Sequence, residues 1–89
     1  MRTLPKENTM IKIGIVDDHA IVRSGLRQFL SEHVDLRVEG EASNGREAID
    51  LVRNHEIDVL LMDLSMPGQS GLDALAMLRA KAPDMGILI

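Results

Sequence analysis

The apolar positions of this chain change period several times, and each change marks an element boundary. Residues 1–9 (MRTLPKENT) are polar, contain Pro5 and Asn8, and read as a disordered leader. Met10 directly precedes the first apolar run and is a candidate start of the folded part. Ile11 to Val16 is rich in β-branched residues and predicts a strand that stops at Asp17-Asp18. From His19 the period turns helical. Val22, Leu26, Phe29 and Leu30 fall at i, i+4, i+7 and i+8, which places them on one inward face, with Arg23, Arg27 and Glu32 on the other. Leu36 to Ser43 alternates strictly. Leu36, Val38, Gly40 and Ala42 then share one face and Arg37, Glu39, Glu41 and Ser43 the other, as in a half-buried strand at a sheet edge.

Ser43-Asn44-Gly45 is a turn into a second helix over Arg46 to Asn54, with Ala48, Ile49 and Val52 inward. Ile57 to Met62 follows, and its continuous run Val59-Leu60-Leu61-Met62 suits a strand buried on both faces. It ends at Asp63. Leu64 to Gly71 is a loop containing Pro67-Gly68, and Ser70 is placed to cap a third helix over Leu72 to Ala82, with Leu75 and Leu78 inward. Met85 to Ile89 begins another buried strand. The order β-α-β-α-β-α-β predicts an α/β fold, a doubly wound parallel sheet with helices on both faces. Because the chain stops inside an apolar strand, it reads as part of a longer protein. The fourth strand is then an open edge that invites pairing, so a dimer or edge-paired assembly is expected.

Composition removes several classes of function. Phe29 is the only aromatic residue of the 89, which leaves no stacking platform for single-stranded nucleic acid. Ten Lys and Arg against fourteen Asp and Glu give a net charge of −4, with the cations scattered, so there is no basic footprint for DNA or RNA. The chain has no Cys, which excludes disulfide scaffolds, zinc ribbons and thiol nucleophiles. No apolar run approaches the ~18 residues of a membrane span. Arg2 and Lys6 are followed by no apolar segment of the secretory kind, and the expected compartment is the cytoplasm.

Three acids carry the chemistry. Asp17 and Asp18 follow the first strand and Asp63 follows the third, at the strand ends where open α/β sheets bind ligands. If those two strands are neighbours, the carboxylates converge, and three like charges need a cation. Oxygen ligands alone favour a hard divalent ion, Mg²⁺ first. Such a site can also bring a phosphoryl donor to one carboxylate. The bland alternative for Asp17-Asp18 is a strand-end turn with helix capping, and Asp63 at the matching end of another strand weighs against it. His19 sits beside the acids, but imidazole adds little to a Mg²⁺ site, so a surface residue at a helix start is the expectation; His33 and His55 should face solvent.

With these residues assembled, the chain resembles a response-regulator receiver domain of bacterial two-component signalling, of the NarL/FixJ (LuxR-type) subfamily. Val16-Asp17-Asp18-His19 with Val22-Arg23-Ser24-Gly25-Leu26, Ala42-Ser43-Asn44-Gly45-Arg46-Glu47-Ala48, and Leu61-Met62-Asp63-Leu64-Ser65-Met66-Pro67-Gly68 with Gly71-Leu72 carry the likeness, from about Ile11 to Ile89. It implies a flavodoxin-like fold, incomplete after the fourth strand, with 10–89 as a partial receiver domain. It implies Asp63 as phosphoacceptor from a sensor histidine kinase, Asp18 as direct Mg²⁺ ligand, and Asp17 as an acid acting mainly through water. Ser65 would bind the metal through its backbone carbonyl. The family pattern continues with a Ser or Thr after the fourth strand and a Lys after the fifth. This chain has neither, and Lys6, Lys12 and Lys81 are not placed to replace them. Phosphorylation of this chain alone is therefore expected to be slow or absent. DNA would be reached only through a C-terminal helix-turn-helix that these residues do not include.

Two other readings compete. A metal-dependent phosphatase would use Asp63 as nucleophile, but such enzymes of the haloacid-dehalogenase type carry Asp-x-Asp, and the second place here is Ser65. A phosphate-independent interaction domain has no need of three converging acids. The expectation is a signalling phosphoacceptor rather than an enzyme, with self-dephosphorylation at most slow.

Overall fold

Strands and helices alternate along the chain: β1 (Ile11–Val16), α1 (Ala20–Ser31), β2 (Leu36–Ala42), α2 (Gly45–Asn54), β3 (Val59–Met62), α3 (Gly71–Lys81) and β4 (Gly86–Leu88). The computed structural model describes residues 10–63 and 71–89. The predicted leader and the loop from Leu64 to Ser70, Ser65 included, lie outside the described residues. All strand pairings are parallel, in the order β2-β1-β3-β4. The chain therefore leaves β1 in one direction and returns to its other side, which puts the switch in strand order between β1 and β3.

Two apolar clusters lie on opposite faces of the sheet. Ile13, Ile15 and Leu30 pack with Leu26, Leu36, Val38 and Leu61 on the α1 side. Val16, Leu60, Met62, Leu51 and Leu78 anchor the larger cluster under α2 and α3. Ile15, Leu60 and Leu78 have no accessible surface. Gly14 and Gly40 let α2 approach closely: a Cβ would stand 3.1 Å from Leu51 Cδ2 at Gly14 and 2.5 Å from Leu51 Cδ1 at Gly40. The start of α2 is set locally. Asn44 Oδ1 accepts the Glu47 N–H at 2.8 Å, and Glu47 Oε1 accepts both the N–H and the hydroxyl of Ser43 at 2.8 Å. These bonds favour the ionised carboxylate and hold the Glu47 pKa below its ordinary value.

Three expectations need correction. In α1, Leu26 and Leu30 meet the sheet, but Val22 and Phe29 are exposed and Arg23 is half-buried. The helix is rolled so that Arg23, not Val22, borders the sheet, because Glu41 supplies a carboxylate there at 3.2 Å. In β2, the four apolar residues do not share a face. Ile13 pairs with Val38 but Gly14 pairs with Gly40, so Glu39 is an extra residue, a β-bulge. Leu36 and Val38 join the α1-side cluster, whereas Ala42 joins the other. Finally, β4 is not a buried strand. It is the sheet edge among the described residues, as expected, but Ile87 is only half-buried, and Leu88 and Ile89 are exposed.

Candidate functional site

β1 and β3 are hydrogen-bonded neighbours in register, with Val16 opposite Met62, so the residues that follow them come out side by side. The Asp63 N–H donates to the Val16 carbonyl at 2.9 Å, and the Asp17 N–H donates across to Ala42 of β2 at 3.0 Å. Three adjacent strands thus present their C-terminal ends together, and the acids inherit that arrangement. Asp17, Asp18, His19 and Asp63 each offer a ligand atom, and all four atoms lie within 4.8 Å of one another. The convergence of the three acids anticipated from the sequence is realised.

His19 occupies the N-cap of α1 in an extended conformation, but its side chain caps nothing. Its N–H donates to Asp17 Oδ1 at 2.8 Å, and its ring Nδ1 lies 2.9 Å from that same oxygen and 3.0 Å from Asp18 Oδ1. The hydrogen bond to Asp17, and then the charge of Asp18, raise the pKa of the imidazole. His19 is exposed, as expected, yet its ring lies against Asp17 and Asp18. His33 and His55 are exposed as well. Asp18 Oδ1 is shielded from solvent and makes no hydrogen bond; its approach to the His19 ring is an ion-pair contact without hydrogen-bond geometry. An occluded oxygen of this kind is what an oxygen-coordinated cation would satisfy. The donor set fits a hard divalent ion. A groove of about 320 Å³ runs from Asp17 and Asp63 over Leu26 and Leu61 to Leu88 and Ile89.

Sequence reasoning missed one residue that touches this turn. Arg23, assigned to solvent, places its guanidinium on the backbone carbonyl of Asp17 at 2.5 Å. The signal was its spacing, one helical turn beyond His19.

Residues 13–89 match the family described as the response regulator receiver domain. The chain belongs to that family. Among curated relatives, it is 41% identical to the response regulator UvrY of Escherichia coli K12 over 80 residues, covering 90% of this chain and 37% of that protein. It is 44% identical to the nitrate/nitrite response regulator protein NarL of the same organism over 77 residues, or 86% of this chain and 36% of NarL. The chain therefore spans little more than a third of the curated relatives it matches. Among solved structures, the response regulator domain of Thermotoga maritima CheB superposes with a TM-score of 0.82 at 33% identity, covering 88% of this chain and 57% of that one. The isolated receiver domain of RcsB from Salmonella enterica serovar Typhimurium, solved with the phosphomimetic BeF₃⁻, gives a TM-score of 0.80 at 30% identity, covering 88% and 59%. The receiver family and its flavodoxin-like parallel fold are thus shown. No helix among the described residues is long and apolar enough to cross a membrane.

Proposed function

We propose that this receiver domain is a phosphorylation switch in which Asp63 accepts a phosphoryl group from a sensor histidine kinase. The observation that carries the reading is the meeting of Asp17, Asp18 and Asp63 at the ends of β1 and β3. In the transfer, an Asp63 carboxylate oxygen attacks phosphorus, the bond from phosphorus to the donor histidine breaks, and the imidazole leaves with that electron pair. The product is an acyl phosphate that water later hydrolyses. Asp18 and Asp63 would hold Mg²⁺ directly, Asp17 mainly through water, and Ser65 through its backbone carbonyl. The bound ion would neutralise charge on the transferring oxygens. The chain's own part is to fix the three carboxylates at the ends of β1 and β3, with the His19 ring beside Asp17 and Asp18.

The wider assignments belong to the same proposal. Residues 10–89 form the receiver portion, in the cytoplasm. The output is transcriptional, through a DNA-binding domain outside these residues; RcsB has been solved bound to DNA.

Mg²⁺ titration followed by amide chemical shifts tests the site. Shifts should centre on Asp17, Asp18 and Asp63 and vanish in Asp18→Asn. In a longer protein that carries this domain together with the hydroxyl residue and the lysine of the family pattern, acetyl phosphate should add one hydroxylamine-labile phosphoryl group, at Asp63 only, and Asp17→Asn should slow the gain. Labelling that survives Asp63→Asn, or that resists hydroxylamine, overturns the reading.

A further inference from the structure

The acids owe their convergence to a turn of only three residues between β1 and α1, and that turn is held by α1 and β2 together. We propose that Arg23 is a positioning residue for the metal-ligand turn, and that the Glu39 bulge and Glu41 serve to hold Arg23 in place. The proposal deepens the reading of the acids as a divalent-cation site and rests on it.

The contacts form one connected unit. Arg23 Nη1 donates to the Asp17 carbonyl at 2.5 Å, while Arg23 Nε donates to Glu41 Oε1 at 3.2 Å. The other oxygen of Glu41 pairs with Arg27 Nη1 at 3.0 Å, one helical turn further along α1. The Arg23 and Glu41 side chains are only 19% and 22% exposed, whereas that of Arg27 is 55% exposed. Asp17 is consequently fixed at both ends of its backbone, by the N–H bond to Ala42 of β2 and by the carbonyl bond to Arg23. A peptide unit is planar, so fixing the Asp17 carbonyl also fixes the direction of the Asp18 N–H and Cα. The bond to Arg23 therefore anchors the peptide from which the Asp18 side chain departs.

The bulge explains how Glu41 comes to be there. Strict alternation from Val38 would put Glu41 on the face away from Val38, and hence away from α1. The extra residue at Glu39 reverses the phase, so Glu41 lies on the α1 side within reach of both arginines. Arg23 suits the role because its guanidinium presents several donors in a fixed fork and can hold the Asp17 carbonyl and Glu41 at once. Lysine, with a single ammonium, cannot span both with the same geometry.

Charge and position predict opposite results, which makes the proposal testable. Arg23 is a cation beside a cation site, so its charge alone disfavours Mg²⁺. Loss of Arg23 would tighten binding if charge dominated and weaken it if position dominates. Outer-shell groups that orient metal ligands typically matter by 10–100-fold in affinity, so Arg23→Ala should weaken Mg²⁺ binding by roughly tenfold. Arg27→Ala removes an equal charge from the same glutamate but leaves the Asp17 carbonyl bond, and should stay within about twofold, as befits an exposed pair. Arg23→Lys should recover part of the loss.

The experiment measures Mg²⁺ affinity by amide shifts, and amide hydrogen exchange at Asp18 and His19 without metal, on the full chain and each variant. Circular dichroism confirms folding, and Asp18→Asn provides the abolished-site control. Faster exchange at those two amides in Arg23→Ala, but not in Arg27→Ala, supports the proposal independently of any metal. Mg²⁺ binding in Arg23→Ala equal to or tighter than in the parent chain overturns it. So does unchanged exchange, or an equal effect in Arg27→Ala. Should Arg23→Ala not fold, Arg23→Lys and Arg23→Gln are read by the same two measurements. A parent chain that shows no Mg²⁺ shifts at all overturns the metal reading instead, and the exchange result still decides the role of Arg23.

Discussion

Replacing Asp18 by Asn should make the metal-free protein more stable while abolishing its response to Mg²⁺. The ligand atoms of the cluster lie within 4.8 Å of one another. Two unit charges at that distance repel by about 0.9 kcal/mol in bulk water and by about 3.5 kcal/mol at an effective dielectric of 20. The Asp17 and Asp18 side chains are 13% and 25% exposed, which favours the upper part of that range. Asp18 also lies 3.0 Å from the His19 ring, but that ring is 63% exposed, so solvent screens the contact. Asp18 Oδ1 accepts no hydrogen bond, so the substitution breaks none there. The net gain should be about 1–2 kcal/mol. For a domain of this size, each kcal/mol moves the melting temperature by about 4–8 °C. Thermal unfolding followed by circular dichroism, in chelator and in excess Mg²⁺, is the assay. At ten times its Kd, the ion should stabilise the parent chain by about 1.4 kcal/mol and Asp18→Asn not at all. Monovalent salt should shrink the difference measured in chelator. If Asp18→Asn melts below the parent chain in chelator, repulsion is not what the cluster stores, and the case for a cation there loses its energetic half.

Two further outcomes test the fold that carries the site. Leu78→Ala should cost about 2–5 kcal/mol, because Leu78 is the fully buried core residue of α3, whereas Ile21→Ala, at an exposed position of α1, should stay within about 0.5 kcal/mol; urea midpoints compare them. Stability should rise with pH through the acidic range in part because of Glu47. Its folded pKa is depressed by the Ser43 hydrogen bonds, so its contribution is present above the ordinary value of 4.5 and lost as pH falls through the lower folded value; urea unfolding of the parent chain and Glu47→Gln between about pH 3 and 6 should show the slope flattened in the variant.

Much of this structure was legible because its signals are local. A β-branched run ending in Asp17-Asp18 and a buried run ending in Asp63 fix both the strands and the place where the chemistry emerges. Asn44 and Glu47 mark the start of α2 by hydrogen bonds that span three or four residues. The adjacency of β1 and β3 was the one long-range condition, and parallel pairing with the switch between them satisfies it. What escaped was whatever depends on a partner far along the chain. The burial of β4 is one such case, since it depends on what lies beside the strand and not on Ile87 and Leu88 alone.

Arg23 shows the limit most clearly. Periodicity assigns a residue to a face by counting, and counting fails wherever one strand gains a residue over its neighbour. Within β2, the pattern Leu36, Val38, Gly40, Ala42 is perfectly alternating, and nothing in it marks Glu39 as extra. The bulge exists only as a relation to β1, where Ile13 and Gly14 are consecutive while their partners, Val38 and Gly40, are not. Once the phase shifts, Glu41 turns toward α1, Arg23 acquires a carboxylate, and rolling the helix to bring a cation to the sheet margin becomes favourable. Val22 and Phe29 turn outward as a consequence. One inserted residue in an edge strand thus accounts for the misassigned face of β2, the misassigned face of α1, and the guanidinium on the carbonyl of Asp17. Three discrepancies share one cause, and that cause lies next to the acids.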